Sequence, residues 1–213
     1  MPNLLSRFAS DLFWLARYME RAEALARLID ISKNYAGSHR GDSSVLAYYL
    51  LDAKNPTSVA FAINAARDNA RGARHLISTE LWTHLNTFHN RYMKLTARDI
   101  RISNVSNICQ EIKTGCQAFE GIVQSTMTRG EPWYFYDLGK NIERADQTTR
   151  VLDIGYISLS SGDDDALVSV QWNTLVRTLA GYHLYRSKFP AGEYARDVAS
   201  FLLFATEFTR SVA

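Results

Sequence analysis

Apolar residues recur every three or four positions along nearly the whole chain, and the alternating pattern of a half-buried strand is almost absent. The pattern predicts an all-α protein, an antiparallel bundle of about eight helices, three or four of them long. A first helix spans about Ser10 to Tyr35, with Leu12, Leu15, Met19, Ala22, Ala26 and Ile29 on its buried stripe. Gly37 and Gly41 mark a loop over Ala36 to Ser44, followed by a short helix over Val45 to Asp52. Pro56, Pro132 and Pro190 stand where helices should begin, because in the first turn a missing N–H costs no intrahelical bond. They predict helices at about 56–76, 132–158 and 190–209. Ser78 and Ser103 read as caps of helices reaching about Lys94 and Met127. The run Gly162 to Asp165 opens a further helix over Ala166 to Lys188. Its aspartates suit the positive end of the helix dipole, and the spacing of a calcium loop is missing. No low-complexity linker divides the chain, so one domain over 1–213 is expected.

A local repeat adds to this picture. Residues 15–31 return 123 positions later as residues 138–154, with seven of 17 aligned positions identical. The identities include Glu20/Glu143, Arg21/Arg144, Arg27/Arg150 and Asp30/Asp153. Two long helices therefore carry equivalent adjacent Glu-Arg pairs. If they pack together, Glu20 can reach Arg144 while Glu143 reaches Arg21, and reciprocal pairs of that kind would fix helix register.

Composition narrows the function classes. A net charge of +2 gives no whole-protein argument for nucleic acid or membrane binding, and no apolar run approaches the length of a membrane span. The N-terminus carries Arg7, Asp11, Arg17 and Glu20, which is no secretory signal, so the cytoplasm is expected. Cys109 and Cys116 are seven apart on one helix, too far for a bridge, and read as buried free thiols. Of the 24 basic residues 18 are Arg, the side chain suited to planar carboxylate or phosphate recognition, although ordinary surface pairing accounts for such a bias equally well.

Arg67, Arg71 and Arg74 fall at i, i+4 and i+7, one face of one predicted helix. Three guanidiniums on one face repel unless carboxylates or a bound anion neutralise them. Glu20/Glu23 and Glu143/Asp146 place acids three apart, but no Glu is followed three residues later by His, and an Arg adjoins each leading Glu. No metal or cofactor site is read from them. No catalytic residue can be assigned by spacing.

Several ordered blocks resemble the bacterial Alpha-E family: Leu15-Ala-Arg-Tyr-Met-Glu-Arg-Ala-Glu23, Ala66-Arg-Asp-Asn-Ala-Arg71, Glu80-Leu-Trp82 with Asn86, and Trp133-Tyr-Phe-Tyr-Asp-Leu-Gly-Lys-Asn-Ile-Glu-Arg-Ala-Asp146. Phe201-Leu-Leu203 and Thr209-Arg-Ser-Val212 resemble its later blocks. The resemblance implies an all-helical domain named for its Glu-Arg motif and without an established activity. It also implies partners, since family members resemble neighbours or fusions of an ATP-grasp-type ligase, and occur near a transglutaminase-like peptidase and a proteasome-like hydrolase. Lys140 stands where the second motif usually has Arg, and the sequence stops at Ala213 where members usually continue, as expected of a short or C-terminally truncated member.

The functional expectation is an accessory or binding protein acting with an ATP-grasp-type ligase in a peptide- or amide-forming system. Glu20, Arg21, Arg67, Arg71, Arg74, Glu143 and Arg144 would form an Arg-rich pocket or docking face for an anionic small molecule or acidic peptide. Two alternatives stand beside it: an enzyme using Glu20 or Glu143 as general base, and a purely structural bundle. An adjacent Arg stabilises the ionised carboxylate and so opposes the general-base reading.

Overall fold

Helix starts follow the local side-chain chemistry, with two departures from expectation. The computed structural model describes residues 4–35, 43–159, 165–190 and 195–213. Its helices are α1 (Ser6–Tyr35), α2 (Ser43–Leu51), α3 (Val59–Gly72), α4 (Thr79–Tyr92), α5 (Val105–Thr126), α6 (Glu131–Leu159), α7 (Asp165–Thr178), α8 (Tyr182–Lys188) and α9 (Ala195–Phe204). Among the described residues there is no strand. The expected loop at 36–44 falls mostly outside the described residues, as do Gly162, Asp163 and Asp164 and the residues after Pro190.

Ser78 caps α4 as predicted, accepting from the Leu81 N–H at 3.0 Å. Pro132 is the second residue of α6. Pro56 instead lies in the turn before α3, where Asn55 Oδ1 accepts from both the amide and the hydroxyl of Thr57. Ser58 then caps α3, accepting from the Phe61 N–H and donating to the Asp52 carbonyl at 2.6 Å. Ser103 is not the cap of α5. That place is taken by Asn104, whose side chain is held in the preceding turn by the Arg101 N–H and the Asp99 carbonyl.

The predicted helix over 166–188 is broken in two. Ala180 takes φ of 62°, and the Gly181 N–H bonds back to the Val176 carbonyl, closing α7. Gly181 is needed there, since a Cβ would lie 2.9 Å from the rings of both Phe201 and Phe208.

Two compact units divide the chain, Met1–Lys140 and Asn141–Ala213, and the boundary falls inside α6 rather than at a linker. In the first unit α1, α3, α4 and α5 form a closed ring of neighbours, with α2 against α3. Contacts show that each neighbouring pair is antiparallel. Tyr18 meets Phe61 and Phe8 meets His75 between α1 and the α3 end; Asn64 meets His89 and Arg67 meets Asn86 between α3 and α4. His84 meets Gly115 and Arg91 meets Glu111 between α4 and α5; Glu23 meets Gln117 and Asp30 meets Lys113 between α1 and α5. All six apolar residues predicted for the first helix are buried. Facing them, α3 offers Ala60, Ala62, Ala66 and Ala70, small side chains that let the helices approach closely. Cys109 and Cys116 are buried free thiols.

The second unit has its own core of Val151, Trp172, Val176, Tyr185, Phe201 and Phe208, among others. Tyr185 packs against Phe201, and Phe201 stacks on Phe208 at 4.9 Å. The C-terminal segment is tied to α6 through its main chain: the Thr148 hydroxyl donates to the Arg210 carbonyl at 2.7 Å, and Arg144 donates to the Thr209 carbonyl at 3.4 Å.

Candidate functional site

The arginine cluster of α3 is split by the end of that helix. Because α3 stops at Gly72, Arg74 enters a short 3-10 turn over Arg74–Leu76 and swings toward α4. There Arg67 and Arg74 both place their guanidinium carbons 5.6 Å from the Trp82 ring centroid. The Arg67 Nε donates to Asn86 Oδ1 at 2.8 Å, and Arg74 donates weakly to the Ile77 carbonyl at 3.4 Å. Both side chains are half-buried, and neither meets a carboxylate among the described residues. Arg71 is not part of this group. It is largely exposed and pairs with Asp68 on its own helix at 3.1 Å.

Trp82 and Asn86 are four apart on α4, so they share a face and meet Arg67 and Arg74 together. Both stood in the sequence blocks that carried the family resemblance, but nothing in their spacing alone marked them as site residues. One turn further along, His89 Nε2 lies 2.6 Å from Asn64 Oδ1, continuing a polar seam between the two helices. An oxygen acceptor on Asn64 requires that His89 donate from Nε2.

Glu20 and Arg21 lie in the first unit, on α1. Glu20 is buried and lines a cavity of about 10 Å³ with Glu23, Cys116, Phe119, Glu120 and Tyr136. That space holds about one water molecule. Two more acids line it, each with donors: Arg27 reaches Glu23 at 2.5 Å, and Tyr136 Oη and Lys140 Nζ donate to Glu120 at 2.7 and 3.1 Å. Among the described residues no group of three or more His, Cys, Asp or Glu is placed to hold a metal ion. Arg21 lies over the Tyr18 ring at 5.4 Å.

Glu143 and Arg144 lie in the second unit. Glu143 has no exposure and accepts from Gln147 Nε2 at 3.0 Å, while Arg144 serves the C-terminal segment. The repeat therefore reproduces local structure in both copies. Glu20 and Glu143 are both buried, and the pairs Glu23–Arg27 and Asp146–Arg150 are the same i, i+4 bridge.

One further group near the ends of α1 and α3 titrates abnormally. Burial raises the Asp11 carboxyl above its usual range, opposed by the nearby Arg7.

A family profile described as a predicted alpha-helical domain with a conserved ER motif matches residues 4–40 and 32–213, and the two Glu-Arg pairs lie within it. The chain belongs to the Alpha-E family. No curated protein and no solved structure matches it. For this Alpha-E domain the profile thus gives a helical architecture and a Glu-Arg motif, and both are seen here as long helices with buried glutamates. No helix among the described residues is long and apolar enough to cross a membrane.

Proposed function

We propose that this Alpha-E domain is a binding or accessory module that receives an anionic group at Arg67 and Arg74, acting beside an ATP-grasp-type ligase in a peptide- or amide-forming system. The observation that carries the reading is two half-buried guanidiniums on one indole ring, without a carboxylate among the described residues. Desolvated guanidiniums bind carboxylate or phosphate through charge-assisted, bidentate bonds about twice as strong as neutral ones. With its Nε engaged by Asn86, Arg67 keeps its terminal nitrogens for such a group. The ligase as partner, with the peptidase and hydrolase behind it, rests on the family resemblance.

Thermal shift of the purified chain with inorganic pyrophosphate and with an acidic peptide, at fixed ionic strength, tests the site. The wild type should gain stability with at least one of them, and Arg67→Gln with Arg74→Gln should abolish the gain. Arg71→Ala should leave it intact, because Arg71 is exposed and paired with Asp68. Co-purification with the ligase, and ligase activity with and without this chain, test the partner separately.

A structural role for the Glu-Arg motif is a second reading. It is favoured by the complete burial of Glu143 and the near-complete burial of Glu20, which suit fixed internal charges better than a general base open to substrate.

A further inference from the structure

On the far side of α4 from the arginine pair, α4 and α5 enclose a cleft of about 390 Å³. Its floor is apolar, formed by Phe88, Tyr92, Ile108 and Ile112, and Thr87 and Thr114 stand at its edge. Gly115 sets one wall. A Cβ there would meet the Phe88 ring at 2.5 Å, and the Gly115 carbonyl accepts from His84 Nε2 at 2.9 Å. Tyr92 is a fixed part of the floor, its hydroxyl donating to the Leu50 carbonyl at 2.6 Å.

The volume sets the size of an occupant. Small-molecule sites run from about 300 to 1,000 Å³, so this cleft is at the small end. A helix, about 10–12 Å across with its side chains, is too bulky for it. The charges set its chemistry. Arg91 from α4 and Glu111 from α5 both line the cleft and pair at 2.8 Å, with side chains 73% and 62% exposed. An exposed pair of this kind contributes little, so both charges can turn to a ligand at small cost. A fatty carboxylate would satisfy Arg91 but set its own charge beside Glu111, and an amphipathic amine would meet Arg91 in the same way. Only a ligand with both an ammonium and a carboxylate next to an apolar body suits both charges and the floor.

We infer that the α4–α5 cleft binds an apolar amino acid or short apolar peptide as its zwitterion, with the carboxylate on Arg91 and the ammonium on Glu111. The site shares no residue with the Arg67–Arg74–Trp82 cluster and stands or falls apart from it.

The full chain titrated with leucyl-phenylalanine, followed by NMR saturation transfer and isothermal calorimetry, is the test. Binding should weaken about three- to fivefold in Arg91→Gln and in Glu111→Gln, the range of one exposed charge contact. It should be lost in Thr87→Trp, which fills the cleft from an exposed position and leaves the core untouched. The same dipeptide with an acetyl group at one end and an amide at the other should bind worse than either charge variant binds the zwitterion. Absence of binding, equal binding of the capped peptide, or retention of binding in Thr87→Trp would overturn the inference.

Discussion

Gly139 lies where α6 meets the main chain of α1 at Phe13, and replacing it by alanine should destabilise the protein although alanine is the better helix former. A Cβ built there stands 2.2 Å from the Phe13 carbonyl oxygen and within 3.1 Å of the Phe13 carbonyl carbon and Cα. Ordinary van der Waals contact begins near 3.4 Å, so the two backbones must part by more than 1 Å. Main chain inside a helix cannot rotate aside as a long side chain can, and overpacking of this sort costs about 1–3 kcal/mol. Alanine returns only about 1 kcal/mol of helix propensity. With the obstacle rigid, the net loss should be roughly 2 kcal/mol, or about 4–8 °C in Tm for a chain of this size. Gly121 on α5 is the control. Its Cβ would meet nothing within 4 Å, so Gly121→Ala should stabilise by about 0.5–1 kcal/mol from propensity alone. Urea unfolding followed by circular dichroism measures both. If the two variants move in the same direction, contact with the Phe13 main chain does not restrict position 139.

Glu143→Gln should cost about 3 kcal/mol, since it removes a fully buried charge from the groups arranged around it, whereas Asp146→Asn on the same helix should stay within about 0.5 kcal/mol. Equal melting temperatures for the two would refute a buried role for Glu143. Tyr92→Phe should cost about 1–2 kcal/mol by leaving the buried Leu50 carbonyl without this donor, read by chemical denaturation. Asp11, whose folded pKa is raised, favours the fold when protonated and loses that contribution as pH rises through the folded value. Asp11→Asn should therefore raise Tm relative to wild type at pH 7. The difference should vanish at pH values below the ordinary carboxylate range, and a constant difference across pH would contradict the assignment.

Periodicity made much of the architecture legible. The stripe from Leu12 to Ile29 needed only the 3.6-residue repeat, because burial of one helix face writes itself directly into the sequence. The break between α7 and α8 was hidden by the continuing apolar pattern, and its key residue, Ala180, is a type that seldom takes positive φ. The arginine cluster was half legible. Spacing put Arg67, Arg71 and Arg74 on one strip, which holds only while the helix continues, and Gly72 ends it before Arg74. Trp82 and Asn86 escaped because their significance depends on α4 lying beside α3, a tertiary fact. The polar contacts between α1 and α5 left a fainter signal: Lys113 and Gln117, four apart on α5, answer Asp30 and Glu23 of α1. That correspondence is readable only once the two helices are known to be neighbours.

Among the described residues seven arginines, Arg7, Arg17, Arg21, Arg67, Arg74, Arg129 and Arg177, lie over aromatic rings, and this bears on how the protein meets salt. Mobile ions weaken exposed charge pairs such as Arg91–Glu111, because the screening length shrinks from about 10 Å at 0.1 M to about 3 Å at 1 M. Part of the attraction between a guanidinium and the ring beneath it is dispersion, which ionic strength does not touch. These seven of the 24 basic residues are thus held in contacts that salt should weaken less than it weakens exposed ion pairs, so their side chains should stay ordered as osmotic conditions change.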